Sequence, residues 1–142
     1  MKLALVGATG LVGQEILRVL EARHFPLQSL LLVASSDSVG QALQWAGKTY
    51  QIISLEAALA EQPTLAIFAA DQATSTTWVP LFVAAGTTTI DNSAAWRMHP
   101  DCKLIVPEAD LRALISCATG FPQSPCRGCA VFSDCAENDP AT

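Results

Sequence analysis

An apolar run followed by three regularly spaced glycines opens this sequence. Residues 3–13 read LALVGATGLVG, which places Gly7, Gly10 and Gly13 in the spacing GxxGxxG. Such a run is typical of a β-strand, a tight turn and an α-helix, in which the glycines allow the sharp turn, the approach of a phosphate and close helix packing. We expect an anion to bind at the helix N-terminus, although the spacing alone also fits an ordinary strand-to-helix turn.

Length and charge restrict the class of protein. The 142 residues suffice for one domain with a buried core, and thirteen acidic against eight basic residues give a net charge of −5. This charge, without a basic stripe, argues against nucleic-acid binding. The longest apolar runs, such as residues 30–34 and 65–70, have strand length and are too short to cross a membrane. Because residues 1–2 lead directly into the first strand rather than a signal peptide, we expect a cytoplasmic protein.

Strand and helix patterns alternate along the chain. We predict strands over residues 2–6, 29–34, 42–45, 49–53, 65–70 and 88–91, with 42–45 and 49–53 forming a hairpin, and helices over residues 11–23, 55–61 and 76–85. The first helix is expected to bury Leu11, Val12, Ile16, Leu17, Val19 and Leu20. This order predicts a Rossmann-like α/β fold with a doubly wound, mostly parallel sheet and helices on both faces.

Three ordered motifs carry a resemblance to a known family. They are GATGLVG at residues 7–13, IDNSAAWRM at residues 90–98 and VPE at residues 106–108. Together they resemble the N-terminal half of aspartate-semialdehyde dehydrogenase over roughly residues 2–114, more than they resemble its relative N-acetyl-glutamyl-phosphate reductase. The resemblance implies a homo-oligomeric, NADP-dependent enzyme that interconverts aspartyl phosphate and aspartate semialdehyde on the route to lysine, threonine and methionine.

The resemblance also assigns binding residues. It implies that Arg97 binds the phosphate of aspartyl phosphate or free phosphate, a role that suits the paired planar donors of a guanidinium. Without the motif, Arg97 would be interpreted as a solvated surface residue. Asn92 and Ser93 are placed either to complete that phosphate pocket or to cap the turn before Trp96. The pyrophosphate of the cofactor would be held by four residues of the glycine-rich turn: Thr9, Gly10, Leu11 and Val12.

The serine-rich segment after the second strand bears on cofactor choice. Among Ser35, Ser36, Asp37 and Ser38, the aspartate stands where the family usually places an arginine against the 2′-phosphate of NADP. A carboxylate repels that phosphate and accepts hydrogen bonds from the ribose hydroxyls of NAD. We therefore expect an NADP site with weakened selectivity, at which NAD can also bind. In the other interpretation, Asp37 faces water while Ser36 and Ser38 hold the phosphate.

The family's nucleophilic cysteine, which follows an asparagine, has no direct counterpart here. Counting forward from the VPE motif points to Cys126, ahead of Cys117 and Cys102. A proline precedes Cys126, but the Arg-Gly pair after it disfavours the helix that would activate a thiolate. His24 and His99 are expected to be structural rather than catalytic.

The C-terminal segment departs from the family pattern. Cys117, Cys126, Cys129 and Cys135 crowd into it, yet without the regular paired spacing of a zinc site, so we predict no metal. We expect a dinucleotide-binding domain over residues 1–114 and a divergent tail over residues 115–142, such as a truncation or frame shift would produce. The family's second domain would then be missing. Two alternatives to a cofactor-binding half-enzyme are a non-catalytic nucleotide-binding module and a folding-defective fragment.

Overall fold

The computed structural model describes residues 1–99 and the backbone of two further strands, 103–105 and 129–132. The strands are β1 (Lys2–Val6), β2 (Ser29–Val33), β3 (Ala42–Trp45), β4 (Lys48–Ile53), β5 (Leu65–Phe68), β6 (Thr88–Asp91), β7 (Lys103–Ile105) and β8 (Cys129–Phe132). The helices are α1 (Leu11–Ala22), α2 (Leu55–Ala60) and α3 (Gln72–Ala84), with a 3-10 turn (Ser36–Ser38) after β2. None of the helices within these residues is long and apolar enough to cross a membrane.

The eight strands form one sheet in the order β3-β4-β2-β1-β5-β6-β8-β7. The pairings β4–β2, β2–β1, β1–β5 and β5–β6 are parallel, whereas β3 pairs antiparallel with β4. From β1 the chain first adds β2, β3 and β4 on one side of β1. It then crosses to the other side of β1, where it adds β5 and β6. The order of strands therefore reverses beside β1, which is where doubly wound sheets form a ligand crevice at the carboxyl ends of their strands. The predicted α/β class is confirmed.

Helices cover both faces of the sheet. Leu3 and Leu5 of β1 pack with Leu17 of α1 on one face. Ala4 and Val6 pack on the other face, in the cluster that contains Ala58 of α2 together with Val79 and Phe82 of α3. Because successive strand residues point to opposite faces, the four apolar residues at 3–6 of β1 supply both cores at once.

The buried side of α1 is narrower than the sequence predicts. Leu17 is buried and Ile16 and Leu20 pack against the core, as expected. The expectation for Leu11, Val12 and Val19 is wrong, since 88 %, 44 % and 42 % of these residues is exposed. At 3.6 residues per turn, Gly13, Leu17 and Leu20 share one side of the helix, and Leu11 lies nearly opposite.

The predicted hairpin of β3 and β4 is confirmed. Ala46 and Gly47 connect the strands with φ values of 49° and 73°. Two consecutive residues with positive φ make a type I′ turn, whose twist matches that of the paired strands. The indole N–H of Trp45 then donates to the carbonyl oxygen of Leu17 at 2.7 Å, which ties the hairpin to α1.

Two predicted elements differ from the observed ones by more than one residue. β5 ends at Phe68 rather than at residue 70, where its pairing with β1 and β6 stops, although the N–H of Ala69 still donates to the carbonyl oxygen of Val6 at 2.8 Å. α3 begins at Gln72 rather than at residue 76, since the Asp71 side chain caps the earlier turn. Beyond β6, β8 pairs antiparallel with both β6 and β7, so residues 129–132 extend the same sheet.

Candidate functional site

The glycine-rich turn joins the end of β1 to the start of α1. Gly7 has φ +85°, and a Cβ atom added to it would overlap the carbonyl oxygen of Ala69. A Cβ atom on Gly13 would overlap the carbonyl oxygen of Gly7, so this glycine lets the helix lie against the turn. The N–H groups of Gly7 and Ala8 both donate to the carbonyl oxygen of Val33, at 2.8 and 3.0 Å. The turn is therefore fixed against the ends of β2 and β5.

The N-terminus of α1 presents backbone donors without a side-chain cap. Gly10 is the N-cap residue, no side chain caps the helix, and the first turn contains no acidic residue. The first N–H groups of a helix have no partner within it, and they carry the positive end of its dipole. Thr9, Gly10, Leu11 and Val12 are all exposed here. This arrangement can bind an anion through backbone groups alone.

A cavity of about 240 Å³ lies in front of this turn. It is smaller than the roughly 300–1,000 Å³ typical of ligand sites, so it can enclose only part of a dinucleotide. Residues from the ends of β1, β2 and β5 and from the starts of α2 and α3 line it: Val6, Gly7, Thr9, Gly10, Ala34, Ser35, Leu55, Ala69, Ala70, Asp71 and Thr74. The cavity thus occupies the crevice that the strand order predicts.

The serine-rich segment lies at the rim of this cavity. Ser35 lines it, whereas the next three residues form the 3-10 turn beyond it. The Asp37 carboxylate is exposed, with the Ser36 hydroxyl at 3.4 Å from Oδ1. The backbone of the turn is held by the Gln41 amide, which donates to the carbonyl oxygen of Asp37 at 3.1 Å. The carboxylate is therefore accessible to a ligand that extends from the cavity across Ser35.

Asp71 is a cavity residue that the sequence analysis missed. Its carboxylate accepts hydrogen bonds from the Thr74 backbone N–H at 2.9 Å and from the Thr74 hydroxyl at 2.8 Å. These bonds, the backbone one foremost, lower the pKa of the Asp71 carboxyl. An aspartate directly after an apolar strand is a recognised helix-start signal, which could have placed both this residue and the start of α3.

Replacement of Asp71 by alanine should lower the free energy of unfolding by about 1 kcal/mol, because α3 loses its N-cap. The folded-state pKa is lowered, so the stabilisation is complete above the ordinary aspartate pKa of about 3.9 and is lost as pH falls through the folded-state value. Urea unfolding of both proteins at several pH values measures this. A difference that stays constant down to pH 2 would contradict the assignment, and Asp71→Asn, which keeps an acceptor oxygen, is the matched control.

The segment after β6 carries the predicted phosphate ligands. The backbone N–H of Asn92 donates to the carbonyl oxygen of Phe68 at 2.9 Å, which keeps the segment beside the end of β5. The exposed Arg97 donates from one guanidinium nitrogen to the carbonyl oxygen of Asn92 at 3.2 Å. The Ser93 hydroxyl is bonded to Asp91 and to the backbone N–H of Ala95, as in the turn-capping interpretation. None of the three predicted ligands lines the cavity.

The candidate nucleophiles Cys126, Cys117 and Cys102 lie outside the described residues. The side chains of Cys129 and Cys135 lie outside them as well. Within the part of the chain that the structure describes, no group of three or more histidine, cysteine, aspartate or glutamate side chains is arranged to hold a metal ion. His99 packs edge-on against Trp96, with the ring centroids 5.5 Å apart. His24 follows the C-cap residue of α1, Arg23, and has φ 47°.

Comparison with known proteins identifies relatives for most of the chain. A family model described as "Semialdehyde dehydrogenase, NAD binding domain" matches residues 2–116. The chain is 44% identical over 110 residues to aspartate-semialdehyde dehydrogenase of Aquifex aeolicus, covering 77% of this chain and 32% of the relative. It is 40% identical over 111 residues to the enzyme of Campylobacter jejuni, with the same coverage of 77% and 32%. The chain thus spans about a third of the relatives that it matches.

Solved structures agree in fold. The structure of aspartate semialdehyde dehydrogenase II of Vibrio cholerae complexed with ASA superposes with a TM-score of 0.75 at 37% identity, covering 80% of this chain and 37% of that one. The Candida albicans enzyme with NADP gives a TM-score of 0.64 at 22% identity, covering 87% of this chain and 40% of that one. At this identity the similarity concerns the fold alone. The match of the family model and the identity to these relatives show that the chain belongs to the aspartate-semialdehyde dehydrogenase family of NAD(P)-dependent oxidoreductases, in its NAD-binding part.

Proposed function

We propose that this chain binds the pyrophosphate of NADP at the N-terminus of α1 and forms the cofactor-binding part of an aspartate-semialdehyde dehydrogenase. The observation that carries the proposal is the uncapped helix start at a cavity beside β1, where Gly7 and Gly13 admit no side chain. The residues fit the group, because an anion there meets backbone donors and no acidic residue in the first turn.

The residues around the cavity have distinct roles in this proposal. Thr9, Gly10, Leu11 and Val12 contact the pyrophosphate. Gly7 and Gly13 allow the close packing of the turn beneath these residues. Ser35 and the 3-10 turn (Ser36–Ser38) contact the adenosine ribose at the rim of the cavity. The exposed apolar side chains of Leu11 and Val12 would be covered by the cofactor, since exposure of 88 % and 44 % leaves apolar surface free to pack against a ligand.

The family's reaction extends the proposal to a substrate. Arg97, with Asn92, binds the phosphate of aspartyl phosphate or free phosphate, in support of which the guanidinium is exposed and, among the described residues, hydrogen-bonded through one nitrogen. Ser93 donates both its N–H and its hydroxyl to Asp91, so it supports this turn rather than binding the phosphate. The Vibrio cholerae relative was solved with ASA, and we propose aspartate semialdehyde as the product here, on the route to lysine, threonine and methionine in the cytoplasm. The bound nicotinamide would supply hydride transfer.

Binding rather than turnover is the proposed property of the chain as it stands. Residues 1–99 contain no cysteine, so a thiolate step would rest on Cys126 in the tail proposed at 115–142, ahead of the lower-ranked Cys117 and Cys102. The alternative, a non-catalytic nucleotide-binding module, would bind the same cofactor but would carry out no thiolate step. A homo-oligomer like that of the family would use surfaces outside the domain proposed at residues 1–114.

Replacement of Asp37 by serine tests the cofactor choice. We expect NADP to bind about fivefold more tightly relative to NAD, because removing a like charge beside the 2′-phosphate would be worth about 1 kcal/mol in water at contact distance. Calorimetric titration of both proteins with NADP and NAD measures the ratio. Glu21→Gln, which removes an exposed charge on α1, is the control and should leave the ratio unchanged. An unchanged ratio in Asp37→Ser would mean that Asp37 faces water, and no binding of either dinucleotide would overturn the proposed function.

A further inference from the structure

Asp91 is a buried carboxylate at the carboxyl end of β6. None of its surface is exposed. It accepts hydrogen bonds from the Ser75 hydroxyl of α3 at 3.2 Å, from the Ser93 backbone N–H at 2.7 Å and from the Ser93 hydroxyl at 2.8 Å. A buried carboxylate is costly unless such donors surround it, so these bonds are strong constraints on the groups that donate them.

The constraint passes from Asp91 into the segment that carries Arg97. The Ser93 hydroxyl, held by Asp91, accepts a hydrogen bond from the Ala95 backbone N–H at 3.1 Å. Trp96 packs against the core cluster of α2 and α3, and the guanidinium of Arg97 returns to the carbonyl oxygen of Asn92. The turn is thus fixed at its start by a carboxylate and near its end by an aromatic side chain.

We infer that Asp91 is a positioning residue that fixes this turn so that Arg97 presents to phosphate the guanidinium donors that are not bonded to Asn92. The inference rests on the proposed phosphate role of Arg97. A guanidinium matches phosphate oxygens only when its plane has the right orientation, and small displacements of a binding group reduce affinity. A merely structural role for Asp91 would instead affect every ligand of the domain through the loss of folded protein.

The test compares two ligands on the full chain, inorganic phosphate and NADP, in wild type, Asp91→Ala and Asp91→Asn. In Asp91→Ala we expect phosphate to bind about tenfold more weakly, with the NADP dissociation constant changed by less than about twofold. Asp91→Asn keeps one acceptor oxygen and the shape of the side chain, so it should recover part of the phosphate affinity and stay folded if the alanine variant does not. Faster hydrogen exchange at the Ser93 amide is expected in both.

The outcomes separate the inference from the function on which it rests. Ser75→Ala, which removes the contact from α3 alone, is the matched control and should retain phosphate affinity. Phosphate binding that survives both Asp91 substitutions, or an equal weakening of phosphate and NADP, would overturn the positioning role alone. If wild type did not bind phosphate, or if Arg97→Ala bound phosphate as tightly as wild type, the role of Arg97 would be overturned and this inference with it.

Discussion

Replacement of Gly7 by alanine is expected to abolish measurable dinucleotide binding and to lower the free energy of unfolding by about 2–5 kcal/mol. Two costs add. An alanine at φ +85° adopts a left-handed conformation that costs about 1–2 kcal/mol, and its Cβ atom would overlap the carbonyl oxygen of Ala69, which adds the cost of overpacking. Relief of the overlap would separate β1 from β5 at the cavity. Urea unfolding and calorimetric titration with NADP measure the two effects.

Gly86→Ala is the control for Gly7→Ala. Gly86 has φ +80°, but a Cβ atom there meets nothing within 4 Å. The free energy of unfolding of this variant should therefore fall only by the conformational cost of about 1–2 kcal/mol, and the variant should bind dinucleotide as wild type does. An equal loss of stability in the two variants, with binding retained in both, would show that the close approach of β1 and β5 is unimportant for the site.

Phe82→Ala is expected to have the largest effect on stability, about 3–5 kcal/mol. The side chain is fully buried on α3, and its ring packs edge-on against that of Phe68 in β5, with the centroids 5.5 Å apart. Alanine would leave a cavity between the helix and the sheet and would remove this aromatic pair. For a domain of this size, the loss approaches the whole free energy of unfolding. Urea unfolding followed by circular dichroism measures it.

Leu81→Ala provides the matched comparison on the same helix. Leu81 is 46 % exposed, so its truncation should cost less than about 1 kcal/mol. Similar losses in Leu81→Ala and Phe82→Ala would contradict the described packing of α3. A wild-type chain that unfolds without a cooperative transition would instead support the interpretation as a folding-defective fragment.

Local patterns were sufficient to predict most of the fold. The apolar β1, the glycine spacing and the alternation of strands and helices predicted a doubly wound sheet, and the sheet order confirms it. The glycine turn was predictable because only glycine adopts φ +85° without strain and because Gly13 leaves room for the Gly7 carbonyl. These properties belong to residues near one another in sequence, which is why a single sequence reveals them.

Contacts between distant residues could not be predicted in this way. The exposure of Leu11 and Val12 depends on which side of α1 packs against the sheet, and hydropathy alone placed both inside. The pairing of β8 with β6 joins segments separated by more than thirty residues. The network of Asp91 with Ser75 requires α3 and β6 to be packed together, so it has no sequence pattern of its own. The start of α3 is a different case, because it could have been predicted from the sequence. The capping signal of Asp71 was present and was missed.

The central claim is that a nicotinamide dinucleotide binds at the N-terminus of α1. Titration of the ¹⁵N-labelled full chain with NADP, followed through the backbone amides, tests it most directly. The account predicts saturable shifts concentrated at Gly7, Thr9, Gly10 and Leu11, with little change at Gly47, which is in the hairpin turn and does not line the cavity. Absence of saturable shifts in a folded chain, or shifts that leave the glycine-rich turn unaffected, would contradict it.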